Sequence, residues 1–62
     1  MRLKEARNQS GLTQEQLVSI VNISVRNYQR MEAGEVIPPV NTALRICKAL
    51  EVNPFRIEEW KS

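Results

Sequence analysis

The sequence predicts an all-α fold: a single domain over residues 1–62, built from five short helices, with the second and third forming a helix-turn-helix. Three observations lead there. Helix starts recur along the chain, most clearly at Thr13 and Ser24. Apolar residues sit three and four apart between those starts, the spacing of a buried helical stripe. Each stretch then closes on a residue suited to a left-handed turn or on proline, at Gly11, Asn22, Gly34 and Pro38-Pro39.

The first helix is expected over Arg2 to Gln9, with Leu3 and Ala6 inward and Ser10-Gly11 as its stop. Thr13 caps the second. Gln16, three residues on, can return to the Thr13 N–H, and Leu12 can staple onto Leu17. This helix runs from Gln14 to about Val21, with Leu17, Ile20 and Val21 on its buried face. Asn22 makes the turn, because asparagine tolerates positive φ better than almost any other residue with a side chain. Ser24 caps the third helix, Val25 to Ala33, with Ile23 and Tyr28 as its staple pair. Asn27 stands where a capping box would want Glu or Gln, so this cap is the weaker of the two. Tyr28 and Met31 face inward, which leaves Arg26, Gln29, Arg30 and Ala33 on an outer face that is short, polar and positive.

Gly34 ends the third helix, and Glu35-Val36-Ile37-Pro38-Pro39 cannot continue it. A fourth helix, from about Asn41 to Leu50, places Ala43, Ile46, Cys47 and Leu50 on one face and Arg45 and Lys48 outward. The fifth start is marked by Asn53 as cap, Pro54 at the first helical position and a Val52–Ile57 staple, giving a short final helix that reaches Trp60.

Composition narrows the function. With 62 residues the chain is near the lower limit at which one apolar core outweighs chain entropy, so dimerisation would help. The net charge of +2 and pI near 9.1 are only mildly basic, so nucleic-acid binding must depend on where the charges sit. There is no histidine and one cysteine, which removes His-based nucleophile activation, metal-ligand spacing and an internal disulfide. Gly11 and Gly34 are the only glycines, so phosphate-cradling loops are absent. An enzyme, a bound cofactor, a metal site and a small-molecule ligand are therefore not expected. No apolar run reaches membrane-spanning length and no signal-peptide core opens the chain, which points to a reducing cytoplasm. Cys47, on the apolar face of the fourth helix, reads as a buried, inert thiol.

Laid out in this order, the residues resemble the Cro and phage-repressor type of helix-turn-helix, the XRE family, whose domain is lambda-repressor-like. The resemblance covers nearly the whole chain. It is carried by Arg7, Gly11-Leu12-Thr13-Gln14-Glu15-Gln16-Leu17, Ile23-Ser24, Arg30-Met31-Glu32-Ala33-Gly34, Pro38 and Ile46-Cys47-Lys48-Ala49-Leu50-Glu51-Val52. It implies a compact five-helix domain that binds operator DNA, normally as a homodimer, and regulates transcription, most often as a repressor. Gln14 matches a family position that contacts a phosphate at a helix N-terminus, where the helix dipole favours an anion. Ser24, Val25, Arg26 and Arg30 match the base-facing set, with Asn27 and Gln29 beside them. Arg7 and Glu32 match a partly buried salt bridge that belongs to the scaffold.

Each assignment has a plainer competitor. Arg30 could take the O6 and N7 of a guanine, worth about 1–3 kcal/mol of discrimination, or rest on the surface beside a glutamate. Arg26 suits a phosphate as well as a base. Val25 could meet a thymine methyl or simply be exposed. The chain also departs from the family pattern. Asn22 replaces the usual turn glycine, Cys47 a small apolar residue and Pro39 the usual serine cap. Glu35, Val36 and Ile37 stand where many members carry Lys or Arg. That loop, which lacks cations and carries Glu35, motivates a second reading together with the modest net charge: a protein-interaction module such as an antitoxin or regulator partner with weak DNA binding. Trp60, near the end of the sequence, is a candidate to close the core, and Val36 and Ile37 are candidates for a dimer contact.

Overall fold

The computed structural model describes residues 1–61. It is all-helical, with four α-helices: α1 Leu3–Gln9, α2 Gln14–Val21, α3 Val25–Glu32 and α4 Val40–Leu50. The expected fifth helix is not there. Residues 54–60 form two single 3-10 turns, Pro54–Arg56 and Glu58–Trp60, separated by Ile57 in an extended conformation. Asn53 does cap this segment, but it accepts from Phe55 N, and the backbone bonds that follow, Arg56 N to Asn53 O and Ile57 N to Pro54 O, span three residues. The physical reason is local. The segment is too short to repay helix nucleation by itself, and bending at Ile57 sends that side chain fully into the core.

The core is assembled from pairs at helical spacing. Leu3 and Ala6 come from α1, Leu17 and Val21 from α2, Tyr28 and Met31 from α3, Ile46, Cys47 and Leu50 from α4, with Ile57 closing it. Leu12, Ile23, Val52, Val36 and Trp60 pack against this cluster from its edge. Helix α2 is central, packed on both α3 and α4, while α1 rests on α3. Ile20 is 60% exposed, against the expectation of a buried Leu17-Ile20-Val21 face. Val18 packs against the core in its place, so the buried stripe is rotated away from Ile20 and toward Val18. Ala43 is only partly covered.

The helix ends show how so small a domain satisfies its backbone. Thr13 and Gln16 complete a reciprocal capping box, with Gln16 N donating to Thr13 Oγ1 at 3.1 Å and Thr13 N to Gln16 Oε1 at 2.9 Å. At α1 the cap residue is Arg2, whose guanidinium has no acceptor to offer. Glu5 takes the Arg2 N–H. The missing acceptor comes from the far end of the chain, where Glu59 takes the Leu3 N–H at 2.9 Å and pairs with Arg2 at 3.0 Å. Arg45, expected only to point outward, reaches back to donate to the Val21 carbonyl that ends α2. Helix α4 begins one residue before Asn41, with Pro39 at the cap position and no side-chain cap bond.

Asn22 adopts φ 63° at the turn between α2 and α3, and Gly11 and Gly34 also lie at positive φ. Glu51 does the same at φ 57° after α4, where nothing in the sequence suggested a left-handed residue. A side chain pays roughly 1–2 kcal/mol for that region, and glycine avoids the cost while adding some entropy to the unfolded chain. Glu51→Gly is therefore expected to stabilise the fold by about 0.5–1 kcal/mol, seen as a higher urea midpoint with unchanged slope.

Candidate nucleic-acid interface

Helix α3 is held by its own cap and by two side chains driven into the core. Ser24 Oγ accepts from Asn27 N at 3.1 Å, with no reciprocal bond from Asn27. Tyr28 and Met31, three apart, are fully buried, which turns the opposite side outward. Arg26, Gln29, Arg30 and Ala33 occupy that outer side and are exposed. Val25 is half-buried at the first turn. Asn27 is exposed but lies on the flank of α3 away from Gln29, as its position in the helical rotation requires.

The flank facing α1 and α2 carries a connected polar chain. Arg7 donates from Nε to Glu32 Oε2 at 2.7 Å and from Nη1 to the Leu12 carbonyl at 2.9 Å. Both ionic side chains are about nine-tenths buried, 10% exposed for Arg7 and 8% for Glu32. Glu32 Oε1 accepts from Gln14 Nε2 at 3.1 Å, and Gln14 Oε1 accepts from Gln29 Nε2 at 3.1 Å. Four residues from α1, α2 and α3 thus form one line, ending on the exposed face at Gln29. Sequence reasoning singled out all four residues without joining Gln14 to either partner. Gln29 and Glu32 are three apart and share one flank, a legible signal, but their distance to Gln14 is a tertiary fact.

Electrostatics follow from this packing. Burial pushes the Glu32 carboxyl up, but the hydrogen bonds from Arg7 and Gln14, with the charge of Arg7, outweigh it and leave the pKa below the ordinary glutamate value. The hydrogen bond to Glu32 raises the Arg7 pKa against the opposing effect of burial. Burial first, then the Glu32 carboxylate, pushes Tyr28 well above its ordinary value. Cys47 is buried on α4, and burial raises its thiol pKa, so it has little thiolate character.

The exposed cations of α3 are in different situations. Arg26 has no ion pair among the described residues, while Arg30 pairs with Glu35 at 3.6 Å, both side chains more than half exposed. Such a pair is worth little in water. Val36 packs on the core edge, whereas Ile37 is exposed, and Val40 and Leu44 are exposed on the adjoining helix.

A family model described as Helix-turn-helix matches residues 3–57, which spans all four helices and the first 3-10 turn. The chain belongs to the XRE-type helix-turn-helix family. No curated protein and no solved structure matches it. Membership makes it a DNA-binding regulator of the XRE type, in a family that is generally non-enzymatic. Among the described residues, no helix is long and apolar enough to cross a membrane.

The depressed Glu32 pKa has a pH consequence. A carboxyl with a folded pKa below its unfolded value contributes stability that is fully present above about 4.3, the unfolded value. That contribution is lost as pH falls through the folded value. Urea midpoints measured from about pH 6 down to pH 2 are expected to fall more steeply for the wild type than for Glu32→Gln. The variant starts from a lower midpoint at neutral pH because Arg7 is left buried without its counter-charge.

Proposed function

We propose that this chain is a sequence-specific transcriptional regulator, acting as a repressor, that reads operator half-sites in the major groove with α3. The observation that carries this reading is the composition of the outer face of α3. Arg26, Gln29 and Arg30 stand exposed together on a short helix, next to the N-terminus of α2 where Gln14 sits. Long donor-rich side chains on a helix narrow enough for the groove are the means by which base edges are read. Arg30 takes a guanine edge, Arg26 a phosphate or a base, and Ser24, Val25 and Asn27 border the contact at the helix start and flank. Gln14 keeps one amide N–H beyond its bond to Glu32, which suits a phosphate at the α2 N-terminus. Arg7 and Glu32 serve as scaffold.

Two copies bind as a homodimer on half-sites about one helical turn apart. Ile37, Val40 and Leu44 are exposed apolar side chains suited to such a contact; Val36 and Trp60 are partly spent on the core. The cytoplasm is the compartment this role implies.

A second reading, a protein-interaction module with weak DNA binding, is favoured by one feature: Glu35 holds Arg30 in an ion pair on the face that would meet phosphate. A salt titration of binding to duplex DNA separates the two, since phosphate neutralisation gives a steep negative slope of log K on log salt and a protein-binding module gives none. Arg30→Ala is expected to weaken operator binding and to relax preference at one base pair by about 1–3 kcal/mol. If Arg30→Ala and Arg26→Ala both leave DNA affinity unchanged at physiological salt, the DNA-reading mechanism is wrong. Glu35→Gln is expected to tighten binding to all sequences modestly, by about 0.2–1 kcal/mol, in the same titration.

A further inference from the structure

The hydrogen bonds that join Glu32, Gln14 and Gln29 run in one direction. Glu32 is an ionised carboxylate against Arg7 and can only accept. Gln14 must therefore meet Glu32 with its amide NH2, as it does at 3.1 Å. That leaves the Gln14 carbonyl oxygen turned to α3, where it too can only accept. Gln29 answers with its own NH2, at 3.1 Å. The buried charge of Glu32 thereby dictates which end of the exposed Gln29 amide, one turn away on the same helix, is tied down.

The remaining hydrogen-bonding capacity of Gln29 follows. Its Oε1 and its second N–H are left for a ligand, on the exposed face shared with Arg26 and Arg30. One acceptor beside one donor complements the major-groove edge of adenine, which offers the N7 acceptor and the N6 amino donor. Guanine offers two acceptors, N7 and O6, so one of them would face the Gln29 oxygen. With the chain reversed, the Gln29 oxygen would be bound by Gln14, and its two N–H groups would suit guanine instead.

We infer that Gln29 reads an adenine in each half-site, and that Glu32, acting through Gln14, is the positioning residue that sets this preference. The inference rests on α3 being the DNA-reading helix. Gln14 then has a second task beside a phosphate contact, and loss of its side chain is not uniform across sequences.

Selection of bound duplexes from a random pool tests it. The wild type is expected to select adenine at one position of the half-site. Gln29→Ala loses that preference, by about 5- to 150-fold against the other bases, with the remaining positions kept. Gln14→Ala leaves the Arg7–Glu32 pair in place and is expected to lose preference at the same position. Glu32→Gln, whose amide can donate or accept, admits guanine there, a change of specificity that a merely structural role would not produce. If the wild type selects a defined sequence but Gln29→Ala weakens all positions alike, or Gln14→Ala retains the adenine, the inference fails and the DNA-reading function stands. Strict adenine in a folded Glu32→Gln variant removes Glu32 from the account. A wild type that selects nothing and binds duplex without salt dependence overturns both.

Discussion

The Arg7–Glu32 ion pair is the constraint on which the rest of this domain depends. It ties α1 to α3, and the same guanidinium holds the Leu12 carbonyl at the entry to α2. Glu32 in turn holds Gln14, the first residue of α2. Burying two charges is costly, and a well-packed apolar pair is often at least as stable. What the ion pair supplies is geometry. A planar fork and a two-oxygen acceptor fix three helices by direction as well as distance, which an apolar contact does not.

The same economy governs the helix ends. Thr13 and Ser24 cap their own helices, but where no local group serves, distant side chains do the work. Glu59 supplies the acceptor that Arg2 lacks at the start of α1, and Arg45 covers the last carbonyl of α2. Ser10, at the end of α1, donates to the Leu50 carbonyl at the end of α4. These contacts cross the domain, so no helix is stabilised by its own sequence alone. That is expected where every helix is shorter than an isolated helix needs to persist.

The outer face of α3 is the product of this framework. Two core side chains turn it outward, a serine sets its start, and the buried pair reaches it through two glutamines. Its positive charge is modest and is partly met by Glu35, so affinity for a polyanion depends on placement more than on total charge. Orientation of amide groups matters more here than it would on a strongly basic surface.

Much of this was legible before any coordinates. Capping patterns at Thr13 and Ser24, the left-handed turn at Asn22 and the spacing of Leu17 and Val21 or Tyr28 and Met31 are local, and local rules read them, including the bounds of α2. The last segment misled because Asn53, Pro54 and Ile57 satisfy the rules for a helix start, while burial of Ile57 requires a bend that no local rule contains. Ile20 misled for a related reason: periodicity names a stripe but not which side of it a neighbour covers. Within the candidate site, sequence alone determined the residue types on α3 and their outward face, because helical rotation follows from spacing. Only the tertiary structure decided that Gln29 meets Gln14, that Gln14 meets Glu32 and that Glu35 meets Arg30. Contacts between elements depend on how those elements pack, and hydrogen-bond direction depends on which charge lies at the end of the chain.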